Sequence, residues 1–118
     1  MLMRLRRLTK SFVYASRGLV KVMREEQNFR VELLVALAVL MLAYVLQVAY
    51  QDWAILILAI ALVLWLEIVN TVAELISDAV QPKLGHYAKN IKDVIAAGVL
   101  VAAMGAAIVG VVVFSQYL

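Results

Sequence analysis

The chain has 118 residues, of which 66% are hydrophobic, and soluble domains average roughly half. Its mean hydropathy is +0.97 and its formal net charge is +3, with most of the Lys and Arg residues between Arg4 and Arg30. The absence of cysteine excludes disulfides, thiol chemistry and Cys-based zinc or iron–sulfur sites. These properties predict an all-α integral membrane protein, with one domain over residues 1–118 and no separate soluble module.

The first predicted helix is amphipathic and covers about residues 4–24. Apolar side chains recur at steps of three and four from Leu5 to Met23, which is the helical period. The opposite face carries arginine and lysine. A strongly amphipathic helix with a basic face is typical of a helix that lies in the membrane interface, facing the headgroups.

Three apolar stretches follow, each long enough to cross a hydrocarbon core of about 30 Å. They predict transmembrane spans at about residues 31–50, 53–80 and 90–114, with Pro82 and Gly85 ending the second span. The first loop has no Lys or Arg, whereas the second loop and the start of the third span carry lysines. The positive-inside rule therefore predicts a cytoplasmic N-terminus and an external C-terminus.

The second span ends in a polar stripe. At 100° per residue, Glu67, Glu74 and Asp78 fall within about 40° of one another, and Asn70 and Thr71 flank them. The stripe continues an apolar run without an intervening Gly or Pro, so the same helix carries it into the membrane. Ionisable side chains in hydrocarbon cost free energy, and such residues are a functional hypothesis by default.

The spacing of the charged residues favours phosphoryl chemistry. Glu26 and Glu74 are expected at one depth, and two carboxylates with phosphate oxygens are ligands that Mg²⁺ prefers. Lys92 and Asp93 open the third span at that level, where a lysine neutralises a transferring phosphate. Glu67 lies deeper, as a general base for a buried hydroxyl requires. The structural alternative is a set of interhelical ion pairs that hold an oligomer together.

Two other functions stay open on these residues. A small oligomeric proton-coupled transporter or channel would use Glu67 as its proton carrier, and a non-catalytic assembly subunit would need no chemistry. In every case self-association is expected, because three helices cannot surround the polar stripe. The third span adds small residues at four-residue spacing, which let helix backbones approach closely. These residues are Gly98, Ala102, Ala106 and Gly110.

The polar stripe, followed by Lys92-Asp93 and the letters Ala-Ala-Gly-Val-Leu, resembles the prokaryotic diacylglycerol kinase family, which includes undecaprenol kinases. The segment from Glu26 to Glu32 is similar to the start of the first membrane helix of that family. In the predicted first helix, the residues similar to the surface helix of that family are Arg7, Lys10, Tyr14 and Gly18.

The resemblance implies a homotrimeric lipid kinase of the bacterial inner membrane that uses ATP and Mg²⁺, with active sites shared between subunits. It implies that Glu67 is the base that takes the proton of the lipid hydroxyl, and that Glu26 and Glu74 hold the metal. The implied nucleotide-binding residues are Arg7, Tyr14, Glu26, Asn70, Glu74, Lys92 and Asp93. The residues implied to line the lipid approach are Phe29, Arg30, Glu32, Glu67 and Ala96, with Asp78 in a supporting role.

The chain departs from the family pattern before the third span. Lys83-Leu84-Gly85 stands in register with the Glu-Tyr-His of the family, and His86 comes one place late. Nucleotide contacts from this loop are therefore left open. The lipid is also left open between diacylglycerol and undecaprenol, although Asn28-Phe29-Arg30 is more similar to the undecaprenol kinase branch.

Overall fold

The computed structural model describes the chain from Met1 to Leu118, apart from the side chains of residues 81, 82 and 84. Helix α1 runs Leu2–Glu25, α2 runs Gln27–Val45 and α3 runs Tyr50–Ser115. Over the described residues there is no β-strand. The prediction of an all-α chain is therefore confirmed.

Helix α3 folds back on itself. A straight helix of its 66 residues would be about 99 Å long, whereas the longest dimension of the molecule is 53 Å. The Ser77 hydroxyl donates to the carbonyl of Ala88 at 3.3 Å, and Lys92 Nζ lies 3.1 Å from Asp78 Oδ1. These contacts require a reversal between Asp78 and Ala88. The break predicted at Pro82 falls in this interval, but the side chain lies outside the described residues.

Among the described residues, three helical segments are long and apolar enough to cross a membrane, namely Gln27–Val45, Tyr50–Val80 and Gly85–Ser115. The last two are the arms of α3. The first segment ends at Val45, whereas the apolar pattern predicted an end near residue 50. The chain turns there because Gln47 adopts a positive φ of 52°, and the apolar letters continue through the turn.

Helix α2 packs against α3 along one face. Phe29, Ala36 and Ala43 are the buried residues of α2, and their seven-residue spacing places them on one side, two turns apart. Two of the three are alanine, so the backbones of α2 and α3 can approach closely.

The end of the bundle nearest the α2–α3 turn is closed by a small apolar cluster. Ala43, Val48, Leu56 and Val113 form it, and Trp53 packs against it. The C-terminal segment is fixed there by a hydrogen-bonded group that we call the clasp: the Tyr117 hydroxyl accepts from the Ala49 amide at 2.9 Å and donates to the Asp52 carboxylate.

Helix α1 meets α2 at a corner. Glu26 separates the two helices in an extended conformation (φ −105°, ψ 105°), and Val22 is the buried residue of α1. The corner is fixed from α2, because Arg30 Nη1 donates to the carbonyls of Met23 and Arg24 at 2.8 Å each. These carbonyls belong to the last turn of α1, where a helix end lacks internal partners and favours a cation.

Candidate active site

The most deeply buried acid of the described residues is Glu67, in the first arm of α3. Its side chain is 1% exposed. One turn later Thr71 is also buried, and its hydroxyl donates to the Glu67 carbonyl at 3.1 Å, which leaves the Glu67 carboxyl group free of that hydroxyl. The polar stripe predicted from the sequence therefore faces inward at Glu67.

Helix α2 brings a second carboxyl group to the same place. The Glu32 and Glu67 side chains lie within hydrogen-bonding reach of each other. Each nevertheless keeps one buried oxygen, Glu32 Oε2 and Glu67 Oε1, that has no hydrogen-bond partner among the described residues. Unpartnered buried acceptors are costly, so these two oxygens need either a proton shared between the two carboxyl groups or a donor from a ligand.

A second pair of carboxyl groups lies at the helix corner. Glu26 and Glu74 are in hydrogen-bonding reach of each other, and Asn70 Nδ2 donates to Glu74 Oε1 at 3.3 Å. Partial burial raises the pKa of Glu26 above its ordinary value, and the negative charges of Glu74 and Glu25 raise it further. A cation between the two carboxylates would relieve this repulsion.

The four acids form two pairs rather than one ligand cage. Within the part of the chain that the structure describes, no group of three or more acidic or histidine side chains is arranged to hold a metal ion. Two carboxylates are nevertheless sufficient when phosphate oxygens and water fill the remaining positions, which is the way Mg²⁺ is commonly held with nucleotides. The Glu26–Glu74 pair fits that donor set.

The predicted nucleotide residues of the third span lie beside the reversal of α3. Lys92 forms its ion pair with Asp78, which stands one turn beyond Glu74 on the same helix, while Asp93 and Ala96 are exposed. The pair itself is open to its surroundings, with Lys92 39% and Asp78 65% exposed, so its ammonium group can reach a further ligand.

Other predicted site residues lie farther from the acids. Arg7 and Tyr14 are exposed on α1, where the Arg17 guanidinium lies 6.0 Å from the centre of the Tyr14 ring. Phe29, predicted at the lipid approach, is 3% exposed and belongs to the packed face of α2. Arg30, predicted at the same place, holds the corner between α1 and α2 through backbone carbonyls.

Sequence reasoning missed two features of this site. It placed Glu32 at the lipid approach but not against Glu67, although a lone acid at the start of an apolar span is a signal of an inward-facing role. It also missed an apolar groove of about 660 Å³ between α2 and the two arms of α3, which has Glu32 at its margin. No periodicity within one helix can indicate a groove that three segments share.

Residues 13–114 match the family described as prokaryotic diacylglycerol kinase. The chain is 36% identical over 110 residues to the undecaprenol kinase of Bacillus subtilis (strain 168), covering 93% of this chain and 89% of that protein. It is also 36% identical over 104 residues to the diacylglycerol kinase of Synechocystis sp. (strain ATCC 27184 / PCC 6803 / Kazusa). That match covers 87% of this chain and 59% of the relative.

No solved structure matches the chain. The fold and the site define a helical membrane protein with paired intramembrane acids. The chain belongs to the prokaryotic diacylglycerol kinase family, which is a family of lipid kinases. The family resemblance and the prediction of a lipid kinase are thereby confirmed.

Proposed function

We propose that this chain transfers the γ-phosphate of ATP to the hydroxyl group of a membrane lipid, either undecaprenol or diacylglycerol, with Glu67 as the general base. The observation that carries the proposal is the unpartnered, buried oxygen of Glu67, on a side chain that is 1% exposed. A lipid hydroxyl at this depth can donate to that oxygen.

In the proposed reaction the lipid oxygen attacks the γ-phosphorus as its proton passes to the Glu67 carboxylate. A new lipid O–P bond forms, the bond between the γ-phosphorus and the β,γ-bridging oxygen breaks, and ADP leaves with the electron pair. The base lies where water is excluded, and proton transfer to such a positioned group contributes roughly 10²–10⁴-fold.

Glu26 and Glu74 are the proposed metal ligands, and Mg²⁺ bound there would neutralise charge on the phosphate oxygens. Asn70 holds the Glu74 carboxylate by its hydrogen bond of 3.3 Å, so that it faces Glu26. Lys92, positioned by Asp78, supplies a further positive charge for the nucleotide, and Asp93 is proposed beside it.

Arg7 and Tyr14 are proposed to reach the nucleotide from α1, and Phe29, Arg30, Glu32 and Ala96 remain proposed for the lipid approach. Helix α1 itself is proposed to lie in the membrane interface, because it exposes both a basic face and apolar side chains such as Phe12, which is 67% exposed.

The remaining proposals concern assembly and placement. We treat residues 1–118 as one kinase domain in the bacterial inner membrane, with the N-terminus cytoplasmic and the C-terminus outside. A homotrimer with shared sites is proposed from the family resemblance and from the expectation that three helices cannot surround the polar stripe. The mass of the purified protein in detergent micelles tests the trimer, and a monomeric mass for active protein would contradict it.

The test of the function is ATP turnover by purified protein in mixed micelles, with diacylglycerol and a polyprenol offered separately. Glu67→Gln keeps the volume of the side chain but accepts no proton, so phosphorylation is expected to fall by at least about 10²-fold while the protein stays folded. Asp52→Asn makes the same change from acid to amide at the opposite end of the bundle, keeps an oxygen that can accept from Tyr117, and serves as the matched control.

Two results would reject the proposal. One is wild-type protein that phosphorylates neither lipid. The other is wild-type vesicles that dissipate a proton gradient, without ATP consumption, in a way that Glu67→Gln abolishes, because Glu67 would then conduct protons.

A further inference from the structure

The corner between α1 and α2 consists of a single residue, Glu26. Its amide donates to the Val22 carbonyl at 2.9 Å, in the last turn of α1, and its carbonyl accepts from the Arg30 amide at 3.3 Å, in the first turn of α2. Because its neighbours on both sides are helical, the φ and ψ of Glu26 set the angle between the two helices. The direction in which the Glu26 carboxyl group leaves the corner therefore depends on that angle.

Apolar packing does little to fix the angle. Among the described residues of α1, Val22 alone is buried. A membrane interface would hold the depth of an amphipathic helix such as α1, but not its direction within the plane of the membrane. The direction of α1 therefore depends on polar contacts at the corner.

Arg30 supplies such a contact. Its Nη1 donates to the carbonyls of Met23 and Arg24 at 2.8 Å each, so that one nitrogen of α2 holds two successive carbonyls of α1. These carbonyls belong to the last turn of α1, where no backbone amide of the helix remains to reach them. The N–H groups of Nε and Nη2 take no part in these two bonds and remain available at the lipid approach.

The angle of the corner matters because Glu26 faces Glu74. The Glu74 carboxylate is held on its own helix by Asn70, at 3.3 Å, whereas Glu26 is placed by the corner alone. Two carboxylates repel each other, so a corner that is free to turn allows Glu26 to move away from Glu74. The proposed metal ligands then no longer face each other before a cation arrives.

We propose that Arg30 is a positioning residue for the metal: by fixing the corner it holds Glu26 opposite Glu74 and strengthens the binding of Mg²⁺ there, without touching either carboxylate. The inference rests on the proposed kinase function and adds to it the residue that orients one of the proposed metal ligands. If the two carboxylates face each other in only about a tenth of the molecules, the dissociation constant of the metal rises about tenfold.

Two variants separate this role from a loss of charge. Arg30→Met keeps an unbranched apolar side chain but removes every N–H donor. Arg24→Met makes the same change at an exposed arginine of the same corner, where the carbonyl rather than the side chain takes part in the contact. If Arg30→Met does not fold, Arg30→Lys is compared with Arg24→Lys, because a lysine lacks the planar fork of donors that an arginine provides.

The first measurement is the geometry of the corner. The chain has no cysteine, so spin labels can be placed at Ser16→Cys on α1 and Ala38→Cys on α2, which are both exposed. Labelled chains are diluted with unlabelled chains, and the distance between the two labels is measured by double electron–electron resonance. The distribution of distances is expected to broaden in Arg30→Met and to stay unchanged in Arg24→Met.

The second measurement is metal binding without turnover. Mn²⁺ replaces Mg²⁺, an ATP analogue with an imido bridge between the β- and γ-phosphates replaces ATP, and the free ion is counted by electron paramagnetic resonance. Arg30→Met is expected to raise the Mn²⁺ dissociation constant about tenfold relative to Arg24→Met. Both variants should melt at similar temperatures, so the difference in affinity would not follow from a general loss of stability.

Three results would overturn the inference. A broadened distance distribution with an unchanged Mn²⁺ dissociation constant would show that Arg30 holds the corner without serving the metal. A change in the KM for lipid alone would assign Arg30 to the lipid approach only. No Mn²⁺ binding by the wild-type protein would remove the metal site that Arg30 is proposed to position, whereas the kinase function itself fails only if the wild-type protein phosphorylates no lipid.

Discussion

The two ends of the helical bundle differ in whether their buried polar groups have hydrogen-bond partners. At the clasp end, the Tyr117 hydroxyl, the Ala49 amide and the Asp52 carboxylate satisfy one another. At the acid end, Glu32 and Glu67 each retain a buried oxygen without a partner among the described residues. Glu32 and Glu67 lie within α2 and α3, whereas two of the three clasp residues, Ala49 and Tyr117, lie just outside these helices.

The difference indicates two roles for buried polar groups: those of the clasp stabilise the bundle, whereas Glu32 and Glu67 are available to a ligand. A buried carboxyl group costs free energy in hydrocarbon, and an unpartnered one costs more. The chain offsets this cost at the clasp with its own donors. At the acid end it leaves the acceptors free, which is the arrangement expected of a site that a substrate completes. Substitutions at the acid end should therefore change activity, and substitutions at the clasp should change stability.

The largest expected effect is at the Glu26–Glu74 pair. Glu74→Ala removes one of the two proposed metal ligands, so turnover is expected to fall by at least about 10²-fold and the magnesium concentration for half-maximal rate to rise. The measurement is a magnesium titration of ATP turnover in mixed micelles. Gln27→Ala, a similar truncation of an exposed and uncharged residue at the same corner, is the control. An unchanged magnesium curve would remove Glu74 from the site.

A smaller effect, of the opposite kind, is expected at the clasp. Tyr117→Phe removes the donor to Asp52 and the acceptor for the Ala49 amide, so thermal unfolding should occur several degrees lower. Turnover at a temperature where the variant is fully folded should not change, because the clasp lies at the end of the bundle opposite the acids. The measurements are a thermal melt by circular dichroism and a turnover assay. A loss of turnover in the fully folded variant would contradict the division between the two ends.

The smallest expected effect is at the reversal of α3, which lies at the acid end of the bundle. Ser77 is fully buried and donates to the Ala88 carbonyl across the reversal. Ser77→Ala is expected to lower the free energy of unfolding by about 0.6 kcal/mol, the average for hydrogen bonds between membrane helices. Ser16→Ala is the matched control, because its hydroxyl bonds within an exposed helix. A larger loss of activity than of stability would instead place Ser77 with the functional residues.

Much of the fold could be predicted because its pattern is local. The period of three and four in α1 and the length of the apolar runs are properties of neighbouring letters, and they led to helices near the observed bounds. The inward face of Glu67 followed from the same periodicity. These features need no knowledge of what packs against each helix.

The contacts between segments could not be predicted in this way. The clasp joins Asp52 to Tyr117, which are 65 residues apart. Nothing in the sequence around either residue indicates that the two side chains are in contact. The first span was predicted to end near residue 50, whereas α2 ends at Val45. Val48 lies in the turn but is apolar because it is buried in the apolar cluster, so the sequence pattern included it in the span. The pairing of Glu32 with Glu67 likewise depends on how α2 packs against α3.

The clasp also gives the protein a built-in optical signal. Trp53 packs against the apolar cluster beside Tyr117, whereas Trp65, the other tryptophan of the chain, is 59% exposed. In a Trp65→Phe background, the emission of Trp53 follows the packing of the C-terminal end on the α2–α3 turn. Opening of that end can then be recorded in real time in intact vesicles, independently of any assay of the reaction.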